Sequence, residues 1–443
     1  MKRFAAALLA LSVIFSGCKA SLPAGPGTTV AQPTPVTQSN PGTQVVSPAT
    51  EPQKPEEPKI QPKTHVDVRG LYLTGWSAGS DDKFNDMVNY VKSSGLNAVV
   101  IDAKDDDGLI TYKTEIPLAK EIGANRVVKI RDIQGRLKTL KEKNIYAIAR
   151  IVVFVDPVLV AAKPDWAILN GKFRDRRGLP WGNPYNENVW KYNVEIAKEA
   201  AKLGFNEIQF DYVRFPEKDI EGVTHNVSKE KRVETITGFL KYAKKELEPY
   251  NVFMAADVFG LTTTVTDDMK IGQEYAPIAE IADYILPMVY PSHYNSGLFG
   301  LRNPNASPFE TVYNSMVRGL GKTKNLDVKK HRPWIQDFSI YGVKYGKAEV
   351  EGQIRALARL GIRQFVLWDP NNKYTRNVDY SLIDKVPKDE NPKSFEGPLT
   401  AEASYTGSTS GSQTHGGPPN GAQGSSQNSS GTVSGSVYEP RLN

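Results

Sequence analysis

Short apolar runs alternate with longer amphipathic stretches between residues 68 and 370. The runs are Val68 to Trp76, Ala98 to Lys104, Tyr146 to Phe154, the start of Asn206 to Glu217, Val252 to Phe259, Tyr284 to Tyr290, Arg332 to Phe338 and Gln364 to Asp369. Nearly every position in them is apolar, the pattern of strands covered on both faces. Helical spacing lies between most of them, at about 81–94, 130–143, 189–203, 229–247, 275–281, from Ser307-Pro308 onward, and 347–360. A short closing helix fits Ser381 to Lys385. Ser80 or Asp81 can cap the first helix, and Gly95, Gly204 and Gly361 stop three of them. Strands alternating with helices imply a parallel sheet, and eight repeats imply closure. The expected fold is therefore α/β, a (β/α)8 TIM barrel. An open doubly wound sheet is the alternative. Its Gly-rich phosphate loop is missing, because Gly75-Trp76-Ser77-Ala78-Gly79 after the first run does not have the required spacing.

The pattern stops at both ends. Lys2 and Arg3 precede an apolar run, Phe4 to Phe15, broken only by Ser12. A bilayer span needs roughly 20 residues, so this run is short for one and suits a secretory signal. Ser16-Gly17-Cys18 follows, and Cys18 is the only cysteine. This resembles the bacterial lipoprotein signal, in which that cysteine is lipidated and becomes the new N-terminus. Residues 1–18 are then a signal peptide, and 19–64, rich in Pro, Thr, Gln and Ser, a disordered spacer. Residues 65–390 form the barrel and 391–443 a disordered Gly/Ser-rich tail. The expected location is extracytoplasmic, at a bacterial cell surface, with the membrane as partner through lipid on Cys18. A single cysteine allows no internal disulfide, so the core must supply the stability.

Charge narrows the partners. Lys plus Arg number 55 against 49 Asp plus Glu, a net +6 spread along the chain. No basic block is dense enough for nucleic acid, and the slight excess favours an anionic wall or matrix. Five widely spaced histidines form no HxH or HExxH, so no metal or other cofactor is expected.

Polar residues gather where the runs end: Trp76, then Asp102 and Lys104, Asp156, Asp211 and Arg214, Asp257, Tyr290 and His293, Gln336 and Asp337, Trp368 and Asp369. The starts of the runs are mostly apolar by comparison. In a β/α barrel the C-terminal strand ends carry the reactive groups. Gln209 shares a strand face with Asp211, and Ala255 shares one with Asp257. Both carboxylates are thus expected to point inward on neighbouring strands, roughly 5 Å apart. Two carboxylates, one protonated and one ionised, can flank a glycosidic bond. The alternative is that Asp211 merely pairs with Arg214 and Asp257 caps a turn. Gln336 is the candidate inward residue of the seventh run, which leaves Asp337 a structural partner. Asp369-Pro-Asn-Asn has turn chemistry as its competing role.

The loop from Val155 to Asn186 is long for a compact barrel and contains Trp166, Phe173, Arg174, Asp175, Arg176, Trp181 and Tyr185. Aromatic faces of this kind stack on sugar rings. Either Trp166 or Trp181 could serve, and the other would anchor the loop. Tyr290 and His293 could line the same groove.

VRGLYLTGW, NAVVIDAKDDDG, EIQFDYVRFP, ADVFG, ILPMVYPSHY and PWIQDF together resemble the bacterial "putative glycosyl hydrolase domain" family, over about residues 66 to 388. FDYVRFP is the most specific of these. The resemblance implies a TIM barrel distantly related to amylase-type enzymes, with Asp211 at the strand-four nucleophile position. Asp257 falls where strand five often carries the acid, although amylase-type enzymes commonly have Glu there. The expectation is a surface-anchored glycoside hydrolase acting on an extracellular or wall polysaccharide. Asp211 is its nucleophile or base, Asp257 its acid, and Arg214 holds Asp211 ionised. Trp76, Asp102, Lys104, Trp166, Trp181, Tyr290, His293, Gln336, Trp368 and Asp369 are the other candidates for substrate contact. A non-catalytic sugar-binding barrel and a surface scaffold are the rivals.

Overall fold

In a computed structural model, residues 63–396 are described. Eight strands, β1 (Arg69–Leu73), β2 (Ala98–Lys104), β3 (Tyr146–Val152), β4 (Glu207–Asp211), β5 (Phe253–Phe259), β6 (Tyr284–Met288), β7 (Trp334–Gln336) and β8 (Phe365–Trp368), close into one parallel barrel in chain order. Helices lie between successive strands, as the alternating pattern requires. Cys18, residues 19–62 of the spacer and residues 397–443 of the tail lie outside the described residues.

Capping fixes where the helices start. The Ser80 side chain accepts from Lys83 N ahead of Asp81–Ser94, and Ser228 from Lys231 N ahead of Lys229–Leu247. Gly95 and Gly204 end two helices with φ of 91° and 107°, a conformation that favours glycine. Strand edges differ from expectation where turns intervene. Thr74 caps a short helix, Gly75–Gly79, so β1 ends at Leu73 and Trp76 rides on that helix.

Alternate residues divide the core in two. One set, including Leu71, Ile101, Ile151 and Phe210, packs against the helices. The other fills the bore: Tyr72, Val100, Ile148, Ala255, Leu286, Trp334 and Val366. Burying each of the larger apolar side chains contributes about 1.5–3 kcal/mol. β6 and β7 pair at a single position, Met288 with Trp334. Pro287 within β6 and Pro333 just before β7 lack the N–H that a longer ladder needs. The β2–β3 ladder shifts register between Asp102 and Lys104. That irregularity decides where Lys104 points.

Candidate active site

Asp211 ends β4, and two things hold it. The Arg150 guanidinium donates to its Oδ2 from Nε (2.9 Å) and Nη2 (2.5 Å), and the Tyr212 N–H donates to its Oδ1 at 2.6 Å. Tyr212 sits at φ 51°, a left-handed backbone that a bulky residue adopts at about 1–3 kcal/mol. This bend turns the chain back so that its own N–H caps the carboxylate.

Arg150 also donates from Nη1 to Asp102 Oδ1 at 2.7 Å. The Tyr72 hydroxyl donates to Asp102 Oδ2 at 2.5 Å. Arg150 lies over the Tyr72 and Trp368 rings, which stack with centroids 4.5 Å apart. On β5, Asp257 accepts from Gln209 Nε2 at 2.9 Å on both oxygens and from Trp334 Nε1 at 2.8 Å. Burial pushes Asp257 well above the usual carboxylate range, and the nearby Asp211 charge pushes it further. Burial raises Asp102 too, with Arg150 opposing.

A cleft of about 510 Å³ opens beside this group. Phe173 to Arg177 and Trp181 form one side, Tyr212, Arg214, Glu217 and Lys218 another, and Phe259, Tyr290 and His293 continue the wall. Asp211 and Asp257 lie behind that wall, next to Tyr212 and two residues before Phe259. Asp211 keeps 6 % of its surface exposed and Asp257 1 %.

Several expected residues do reach the cleft. Trp181 lines it, its Nε1–H donating to Asp175 Oδ2 and its ring face covered by Arg214. Tyr290 and His293 line it together, with rings 5.2 Å apart. Burial lowers His293 to about 4, so its imidazole is neutral near pH 7 and able to bond hydroxyls. Asp102 and Trp368 belong to the group behind the wall.

Other expectations are corrected. Arg214 pairs with Glu217 at 3.1 Å, and Arg150 is the partner of Asp211. Alternation alone would place Lys104 beside Asp102; the register shift re-aims it outward. There it is sealed against Asp156 at 2.7 Å and Asn193 at 3.0 Å. Gln336 is fully buried and ties Ser292 N to Asn305. Asp337, expected to be structural, accepts from Thr375 N and Oγ1 and is so used. Asp369 accepts from Asn371 N and Lys373 N in a turn. Trp76 is 60 % exposed beside Lys129, outside the cleft lining. Trp166 is half-buried against the core and also outside the lining, which makes it the loop's anchor.

The sequence reading missed Arg150, Tyr72, Gln209 and Trp334. Arg150 carried a usable signal: an arginine within the apolar run YAIARIVVF must find anionic partners if that strand is buried. The starts of the strands were also misjudged. Arg332 Nη1 meets Glu207 Oε1 at 2.6 Å, both side chains fully buried, at the opposite end of the bore. Among the described residues, no group of three or more His, Cys, Asp or Glu is placed to hold a metal ion, and no helix is long and apolar enough to cross a membrane.

A barrel with its acids gathered at the C-terminal mouth defines a class, and the sequence match agrees. Residues 70–374 match the model of the family described as "putative glycosyl hydrolase domain", and the chain belongs to that family. It is similar to a hypothetical protein from Ruminiclostridium thermocellum, with 44 % identity over 42 % of this chain and 97 % of that one, at a TM-score of 0.39. It is also similar to the glycoside hydrolase domain of PgaB (BpsB) from Bordetella bronchiseptica. There the identity is 13 %, the coverage 72 % and 99 %, and the TM-score 0.54, a likeness of fold. The spore cortex-lytic enzyme SleL of Bacillus megaterium matches at 14 % identity over 76 % of each chain, with a TM-score of 0.46. No curated protein matches the chain.

Proposed function

We propose that this chain is a glycoside hydrolase that cleaves an extracellular or cell-wall polysaccharide with Asp211 and Asp257. The observation that carries this is Asp211 itself. It is fixed by Arg150 and by its own backbone beside a strained Tyr212, directly behind an aromatic cleft. Two guanidinium N–H groups of Arg150 hold one of its oxygens in place, as a positioned nucleophile or base requires. Burial and the Asp211 charge push Asp257 toward its protonated form, the form an acid needs. The aromatic wall of the cleft offers sugar rings apolar contact, while neutral His293 bonds their hydroxyls. Because Asp257 is so deeply covered, bound substrate has to displace part of the wall to reach it. Lipid on Cys18 anchors the enzyme outside the cell, which labelling with a radioactive fatty acid tests: a Cys18→Ala chain takes up none.

One observation favours a second reading, a sugar-binding barrel without turnover. Both oxygens of Asp257 are occupied by Gln209 and Trp334. Product analysis after incubation with wall and exopolysaccharide fractions separates the two. New reducing ends from wild type, lost in Asp257→Asn, support the proposal. Loss in Glu217→Gln with Asp257→Asn active moves the acid to the cleft carboxylate Glu217. Retention of a glycan with no products at all supports the binding barrel.

A further inference from the structure

The lining of the cleft holds a share of the chain's net positive charge far larger than its size. Arg174, Arg176 and Arg177 line it from the long loop after β3, and Arg214 and Lys218 line it from the segment after β4. Asp175 and Glu217 are the acidic residues in that lining. Five cations against two carboxylates leave a local excess of three, half of the +6 carried by all 443 residues. Neutral His293 does not alter this count.

Both carboxylates already have partners. Asp175 accepts from Trp181 Nε1 and from the main-chain N–H groups of Arg177 and Leu179. Glu217 pairs with Arg214. Arg177 meets Asp106 at 3.1 Å and Asp175 at 3.6 Å. Arg174 spends its guanidinium on the carbonyls of Gly171 and Phe173, neutral acceptors that leave its charge uncompensated. Lys218 lies over the Phe173 ring, again without cancelling charge. Arg174, Arg176 and Lys218 are all exposed. Behind the wall the balance reverses, since Asp102 and Asp211 share the single guanidinium of Arg150. The excess of cations thus belongs to the cleft lining, and the excess of carboxyl groups to the cluster behind its wall.

We infer that the substrate is an anionic polysaccharide, one bearing carboxylate or another oxyanion on its sugars, with the charged substituents held at the rim and the bond to be cut beside Asp211. Guanidinium forks match planar oxyanions in two-point contacts, and the aromatic rings beneath them, Phe173, Trp181, Tyr212 and Phe259, hold the cations in place over the cleft. A neutral glycan would satisfy the aromatic faces and leave the rim charge unanswered. This rests on the reading of the cleft as a polysaccharide site.

The test is affinity electrophoresis of the full chain through gels holding polygalacturonate, alginate, hyaluronan or a wall teichoic acid. Highly methyl-esterified pectin and starch serve as neutral counterparts. The expected result is retardation by at least one anionic polymer, weakened by added salt, with esterified pectin far weaker than polygalacturonate if that is the one bound. Arg176→Gln with Lys218→Gln should weaken retention by about tenfold, because rim charges act directly on such ligands. Lys138→Gln with Lys141→Gln, on a helix away from the cleft, should leave it unchanged. Retardation by teichoic acid alone assigns the oxyanion as phosphate; retardation by the uronates assigns it as carboxylate. Equal retention by neutral and anionic polymers, equal loss in the two double variants, or no retention by any anionic polymer overturns the inference. Turnover of a neutral glycan without anionic preference overturns it and leaves the hydrolase standing. Anionic binding without cleavage does the reverse.

Discussion

Two buried ionic groups occupy opposite ends of the same bore, and they are built differently. At the N-terminal end Arg332 and Glu207 match one to one, with Gln364 accepting from Arg332 Nε and Tyr146 donating to Glu207. Both side chains are fully enclosed. At the C-terminal end Arg150 serves Asp102 and Asp211, with Asp257 close by and a strained Tyr212 at the edge of an open cleft. Burial of charge is common to both and marks neither as functional. A hollow adjoins each end, the lower one lined by Asn97, Tyr146 and Asn206, so what sets the upper group apart is its excess of acid and the left-handed backbone at a bulky aromatic residue, features expected where chemistry is done.

Breaking the lower pair should have the largest effect, and on stability alone. Glu207→Gln leaves Arg332 buried without its counter-charge and should lower stability by about 3–5 kcal/mol. For a domain of this size that is about 10 °C in Tm by thermal unfolding. Activity per folded molecule should stay near wild type. An activity loss out of proportion to unfolding would erase the distinction between the ends.

Arg150→Gln should do the opposite. We expect turnover to fall by about 10²-fold or more through loss of the group that positions Asp211. Shift of the acidic limb of the pH–rate profile to higher pH would mark the effect as electrostatic. A lowered Tm with an unchanged profile would make Arg150 structural, like Arg332.

Asp337 sharpens the comparison from just outside the bore. Burial raises its carboxyl to about 7, against which the bonds from Thr375 act. The native state therefore binds a proton more tightly than the unfolded chain does. Stability from this group is full at low pH and is lost as pH rises from about 4 toward 7. Asp337→Asn should remove about 1–2 kcal/mol of that slope, read from denaturant unfolding at several pH values. An unchanged slope would show that its carboxyl titrates normally.

The smallest effect belongs to a third pair, Lys104 and Asp156, which faces the helices. Replacing both, Lys104→Met with Asp156→Asn, should shift stability by no more than about 1 kcal/mol, because no charge is stranded. Turnover should be unaffected. A large activity loss would return Lys104 to the site.

The barrel was legible because two-sided burial leaves continuous apolar runs that punctuation by glycine and serine separates into repeats. The facing of Asp211 and Asp257 followed from simple alternation with Gln209 and Ala255, and both belong to one group in the bore. Alternation failed at Lys104, because a register shift depends on the neighbouring strand and leaves no local mark. The partner of Asp211 was misassigned for a related reason. Arg214 is near in sequence, but the bend at Tyr212 carries it into the cleft wall, while Arg150 arrives from β3 across the sheet. The lower ion pair was hidden because Glu207 and Arg332 lie 125 residues apart.

The most direct measurement is release of reducing ends by Asp211→Asn beside wild type, on whichever wall or matrix polysaccharide wild type cleaves, with Tm and glycan retention recorded for both. The account predicts a loss of about 10²–10⁴-fold in turnover with folding and retention preserved. Cleavage by Asp211→Asn at the wild-type rate would contradict it.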